Sequence, residues 1–192
     1  MNKTLFLLIA TALFIASCDN GKLTAGKAEK LLLESGRFPQ PQSIELEYGI
    51  VGYQYDSLPA EYYKIKDQGA IKIEPLGKSG LFTISYVFKV DLTDKGKSFL
   101  IEEDKHPTRQ GDKGYLYTSR FKTCDENFEK VESVYEIPAF NEAEVSYIAK
   151  RENFTPFWYK HYDKSRNTIT EDTVVRRKAS LFKTDKGWST KK

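Results

Sequence analysis

The sequence predicts an α+β fold: a small helix-and-strand module in front, followed by a curved antiparallel β-sheet module. Three observations predict it. Apolar residues between Leu23 and Glu34 recur at helical spacing, whereas those after Ile44 alternate with charged ones, the two-residue period of a half-buried strand. The aromatic share is 14%, with 12 Tyr and 12 Phe, which argues against disorder and for β-rich structure. Residues 102–114, EEDKHPTRQGDKG, carry charges, Pro107, Gly111 and Gly114 and almost nothing apolar, the composition of a linker between two halves.

The front half, residues 23–101, opens with a helix from Leu23 to Glu34. Thr24 caps it and Gly36 stops it. Ala28, Leu31, Leu32 and Ser35 make one face; Lys27, Lys30 and Glu34 make another. The basic face suits solvent or, with Lys22, anionic head groups. Pro39 and Pro41 mark a loop. Ile44, Leu46, Tyr48 and Ile50 alternate with Glu45 and Glu47 as a strand. Asp56 or Ser57 caps a helix from Leu58 to Asp67 that carries Pro59 in its first turn. Ile71 and Ile73 begin a hairpin that turns at Pro75, Gly77 and Gly80 and returns through Phe82, Ile84, Tyr86, Phe88 and Val90. Thr93 starts a last helix, Asp94 to Ile101.

The order helix, strand, helix, hairpin, ending in Leu92-Thr93-Asp94-Lys95-Gly96, with Gly69-Ala70-Ile71 before the hairpin, resembles a winged-helix module. The resemblance covers residues 23–101 and implies a scaffold of three helices with a wing.

The second half, residues 115–192, reads as antiparallel strands. Tyr115, Tyr117 and Phe121 begin the first, and Asp125-Glu126-Asn127 can turn the chain. Val131, Tyr135 and Ile137 continue up to Pro138. Ala143, Val145, Tyr147 and Ala149 alternate with Glu144, Ser146 and Lys150. Val175, Ala179 and Leu181 form a final strand before the turn Asp185-Lys186-Gly187 and Trp188. This layout resembles the curved sheets of cystatin-like folds.

Ahead of both halves, Lys3 precedes an apolar run of 12 residues, Leu5 to Ala16, and then Ser17-Cys18. A charge, a short apolar centre and small residues before a cut are the parts of a secretory signal. The run falls short of the roughly 20 apolar residues a membrane-spanning helix needs. Ile15-Ala16-Ser17-Cys18 resembles the lipobox of bacterial lipoproteins. That resemblance implies a signal peptide over 1–17 and a diacylglyceryl group on the Cys18 thiol. It also implies cleavage before Cys18 and acylation of the new amine by a chain such as palmitate. Residues 18–22 are then a short tether. The arrangement is similar to that of small bacterial lipoproteins with this front half and a β-rich second half. It implies a location on the periplasmic or outer surface side of a membrane, and no activity. Cys124 is the only other cysteine, so no intramolecular disulfide framework is expected.

Catalytic signatures are sparse. The two histidines, His106 and His161, stand in no HxxxH pattern, and no CxxC or GxSxG occurs. Neither a metal nor another cofactor is expected, and no catalytic residue is assigned. Cys124 shares a strand face with Thr118, Arg120 and Lys122, a setting that can lower a thiol pKa. Glu102-Glu103-Asp104 interleaves with Lys105 as a solvated charge run. The net charge of +3 is too mild to imply nucleic acid, and an exported chain would not meet DNA.

The stretch Phe154-Thr155-Pro156-Phe157-Trp158-Tyr159-Lys160-His161-Tyr162 is dense in rings. Its rings suit either a plug at the end of the sheet or an exposed surface that stacks on sugars. Phe154, Phe157, Trp158, Tyr159, Lys160 and Tyr162 are the candidate binding residues. The expected function is a non-catalytic, membrane-anchored lipoprotein that binds another cell-envelope component, a protein or a glycan. The alternatives are a periplasmic immunity-type inhibitor and an enzyme with its site between the halves.

Overall fold

The computed structural model describes residues 21–79, 85–159, 161–163, 168–170 and 173–191, without the side chains of 79, 161–163 and 168–170. Cys18, the signal segment, Gly80, Phe82, Ile84 and Lys160 lie outside the described residues. The order of elements is α1 (Ala25–Glu34), β1 (Gln40–Tyr53), α2 (Ala60–Asp67), β2 (Ile71–Ser79), β3 (Ser85–Leu92) and α3 (Asp94–Lys97). Then come β4 (Leu100–Glu102), β5 (Thr108–Arg109), β6 (Tyr115–Ile137), β7 (Glu142–Glu152), β8 (His161–Asp163), β9 (Thr168–Thr170), β10 (Val174–Thr184) and β11 (Gly187–Ser189).

One large antiparallel sheet replaces the expected α+β pair of modules. Its order is β11-β10-β7-β6-β1-β3-β2, with β4 and β5 also paired to β6; β8 and β9 pair only with each other. The winged-helix expectation fails on a single pairing. β1, read as part of the front module, lies along β6 from Gln40–Glu126 to Gly49–Leu116. It therefore joins strands from both halves, and α1 and α2 pack into separate clusters instead of against a common third helix.

Two long strands make this possible. β1 leaves β6 at Gly49, which pairs with both Leu116 and Val90, and then runs beside β3. Gly49 has φ +86°, and a Cβ there would collide with the Tyr115 carbonyl oxygen. Only glycine fits that switch. β6 does the same on its other half, pairing β1 up to Glu126 and β7 from Asp125 onward. The turn expected at Asp125-Glu126-Asn127 is absent because tertiary partners satisfy each polar side chain. Lys122 and Asn153 donate to Asp125, two arginines donate to Glu126, and Asn127 donates to Glu152. With those bonds made, the residues no longer favour a turn over the ladder.

The local reading holds at the cap of α1, whereas α2 starts at Ala60 after Pro59 with no side-chain cap, so neither Asp56 nor Ser57 caps it. Thr24 caps α1, accepting from the Lys27 amide at 3.3 Å. The expected helix after Thr93 stops at Lys97, and the next residues enter β4 instead. α3 is clamped against the turn after α2, where Thr93 Oγ1 donates to the carbonyls of Gly69 and Ala70. A Cβ on Gly96 would strike the Ala70 carbonyl oxygen. The charged stretch 102–114 is stitched to β6. Asp104 accepts from the Thr118 amide at 2.7 Å, and its own amide donates to Ser119 Oγ at 2.9 Å.

One cluster packs α2 with Leu46, Val51, Phe88, Val90, Phe121 and Phe157. The other packs Ala28 and Leu32 of α1 on Ala143, Val145, Tyr147, Ala149, Ala179 and Leu181.

Candidate functional site

The ring-rich stretch divides between core and surface. β7 ends at Glu152, and Asn153 takes a left-handed conformation, φ 55°. Thr155 then staples the chain to β6. Its amide donates to the Thr123 carbonyl at 2.9 Å and its hydroxyl to the Lys122 carbonyl at 2.6 Å. The same hydroxyl accepts from the Phe157 amide at 3.2 Å. Phe157 is thereby driven inward. It is fully buried, stacks on Phe121 at 4.4 Å and meets Phe99 edge-on at 6.3 Å. Tyr159 packs against the same cluster, and burial pushes its phenol up. Phe157 is therefore a core residue, and Tyr159 is half-buried beside it.

Phe154 and Trp158 stay at the surface as a tilted pair 4.9 Å apart, with Phe154 45% exposed. The Arg151 guanidinium lies 5.2 Å from the Trp158 ring centre, a cation–π distance. Of the six candidate residues, exposed Phe154 and half-buried Trp158 thus form one surface patch. Lys160 is not described, and Tyr162 is placed only as backbone on β8.

Behind the patch stands Glu126, a residue whose sequence context favours a turn. It is 1% exposed. Arg151 Nε donates to its Oε1 at 3.0 Å. Arg177 donates from Nε to Oε2 at 3.0 Å and from Nη2 to Oε1 at 2.5 Å. A buried carboxylate needs such partners, and here one carboxylate fixes two guanidiniums. Register sets Glu126 opposite Arg151 across β6–β7, and the Arg177 side chain reaches the same carboxylate from its position opposite Tyr147 on β10. The signal available beforehand was the alternation Tyr147, Ala149, Arg151 on one strand face, with a cation where an apolar residue was due.

On the Arg177 side of Glu126 an open groove of about 650 Å³ is lined by Arg37, Gln40, Gln42, Tyr147, Arg177 and Lys178. Arg37 donates to the Thr190 carbonyl at 3.3 Å, and Lys178 pairs with Glu144 at 2.8 Å. Burial raises the Tyr147 phenol, while Arg177 and Arg37 beside it act in the opposite direction.

The residues weighed for catalysis are held in structural roles. Cys124 is fully buried, and burial pushes its thiol up; at neutral pH it is a protonated core residue, not an activated nucleophile. Asp104 is held below the usual carboxylate range, first by the Thr118 amide and then by that of His106. Glu102 pairs with Arg120 at 3.3 Å. These carboxylates are engaged in holding the loop. Among the described residues no group of three or more His, Cys, Asp or Glu is arranged to hold a metal ion. No protein-family model, curated protein or solved structure matches the chain.

Proposed function

We propose that the protein is a non-catalytic bacterial lipoprotein, anchored through lipidated Cys18, that binds another component of the cell envelope. The observation that carries this reading is the order Lys3, apolar run, Ile15-Ala16-Ser17-Cys18 directly ahead of the folded chain. Two features support the geometry it requires. Gly21, three residues after Cys18, is tied down: its carbonyl accepts from Trp188 Nε1 at 2.9 Å, and the Leu23 amide donates to Glu136 at 2.7 Å. Three residues reach at most about 11 Å, so the β6–β7 hairpin, with exposed Tyr135 and Phe140, lies beside the bilayer. Arg151 is nine residues along β7 from Glu142, about 30 Å at strand rise. The Phe154–Trp158 pair thus stands at the other end of β7 from that hairpin, and we assign the contact with a protein or glycan partner to it.

Metabolic labelling with a lipid precursor tests the anchor. Wild type takes up label, and Cys18→Ser does not; label on the variant overturns the assignment. Crosslinking in cells with a photoreactive group at Phe154 tests the surface. A partner adduct lost in Trp158→Ala is expected, and crosslinks that do not depend on Trp158 count against this patch.

A further inference from the structure

We infer that the tip of the β6–β7 hairpin is a membrane-contact surface, which inserts apolar side chains into the interface of a lipid bilayer. The inference rests on the anchor at Cys18 proposed above and adds a second, non-covalent contact to it. The tip is apolar and exposed. Ile137 to Asn141 carry no charge. Pro138–Phe140 form a single 3₁₀ turn in which no residue is buried. Phe140 at 74% and Tyr135 at 69% are the two most exposed large apolar side chains among the described residues, and both belong to this hairpin. Exposed apolar groups gathered at one tip mark a contact surface. The tip is also held in shape. Asn141, left-handed at φ 51°, donates its amide to the Pro138 carbonyl, and its own carbonyl accepts from the Lys183 amide at 2.7 Å. A turn fixed in advance loses little freedom on inserting.

The place where the chain enters the fold selects lipid as the occupant. Ahead of Gly21 stand Cys18 and the apolar run Leu5 to Ala16. Gly21 is bonded to Trp188 of β11, and Leu23 is bonded to Glu136 of the hairpin itself. The tether therefore starts beside this tip and not beside Phe154, so a lipid on Cys18 and the Phe140 ring reach the same bilayer. Charge decides the kind of contact. Lys22, Lys183 and Lys186 at this end are matched by Glu136, Glu142 and Asp185. Anionic head groups then add little, and burial of apolar side chains drives the contact. Depth follows from the strand. Tyr135 lies two residues before Ile137, roughly 7 Å back at strand rise. When Phe140 enters the acyl boundary, the Tyr135 phenol stands at head-group level, the depth that suits an amphipathic ring.

Depth-dependent fluorescence quenching tests it. The full chain, purified from bacterial membranes, is labelled with an environment-sensitive dye at Ala139→Cys or, for comparison, at Phe154→Cys; Cys124 is fully buried and does not compete. Each is reconstituted into phosphatidylcholine vesicles with and without doxyl-labelled lipid. Quenching at position 139 is expected to exceed that at position 154 by about threefold or more, and flotation with the vesicles reports the anchor separately. Tyr135→Ser with Phe140→Ser, at exposed positions, is expected to bring the two labels level, whereas Tyr55→Ser leaves the difference intact. A chain that floats with the vesicles but shows equal quenching at both positions overturns the proposal and leaves the anchor standing. A chain that does not float overturns both. Quenching that requires phosphatidylglycerol overturns it in favour of a head-group charge contact. A dye at position 139 shielded from water but untouched by doxyl lipid overturns it in favour of a protein partner or a second copy of the chain.

Discussion

The two ends of the sheet reach a dry interior by opposite means. At the α2 end, rings fill the space: Phe121, Phe157 and Phe88 are buried beside Tyr62. At the α1 end, the helix comes close because the floor is small, with Ala28 above and Ala143, Ala149 and Ala179 below. Between them, at Glu126, the interior is ionic. The difference teaches that a ring borrowed from a loop can complete a core, whereas an alanine floor needs a helix laid directly on it. It also teaches that a carboxylate can be buried in the sheet where cations from two other strands meet it.

Breaking the ring-filled end should have the largest effect. Phe157→Ala removes a fully buried side chain, and a loss of about 3–5 kcal/mol in denaturant unfolding is expected. Phe157→Leu should recover much of it. At the seam, Glu126→Gln keeps the shape but strips the charge that orders two arginines. A loss of about 1.5–3 kcal/mol is expected, together with weaker quenching of Trp158 fluorescence as Arg151 loses its position. That combination separates an ordering role from simple packing.

Acid should act on the seam's other carboxylate. Asp125 is held below the usual carboxylate range, first by its bond from Lys122, with Asn153 adding to it and burial opposing it. Its folded value lies below its unfolded value. The stability it contributes is present above the ordinary carboxylate pKa and is lost as pH falls through the folded value. Asp125→Asn should therefore flatten the acid limb of a stability–pH curve measured between neutrality and strong acid. The smallest effect belongs to the neighbouring contrast. Arg176 bonds Glu132 at 3.0 Å much as Arg177 bonds Glu126, yet it is 77% exposed. Arg176→Ala should change unfolding by less than about 0.5 kcal/mol.

Local order was legible in the chain. Thr24 and the spacing of Ala28 and Leu32 placed α1, and the alternation Ala143 to Ala149 placed β7 with its buried face. The pairing of β2 with β3 and the closing turn at Asp185 followed from the same chemistry, but Pro75 and Gly77, expected in the turn, lie inside β2 opposite Phe88 and Val87 because the ladder runs on past them. The candidate site was legible only in part: the ring-rich stretch stood out, but its division into buried Phe157 and exposed Phe154 did not. Thr155, whose two bonds to β6 make that division, has nothing in its sequence neighbourhood to announce a partner thirty residues away.

The sequence by itself determined the periodicities of α1 and β7 and the caps at Thr24 and Thr93, because these depend on neighbours within a few residues. It also carried the arrangement around Cys18 on which the proposed anchor rests. Only the tertiary structure decided that β1 would lie along β6 and merge two expected modules into one sheet. Only it decided that Asp125-Glu126-Asn127 would extend instead of turn. The reason is the same in both cases: a backbone ladder and a buried carboxylate are satisfied by partners far along the chain, and local preference yields to them.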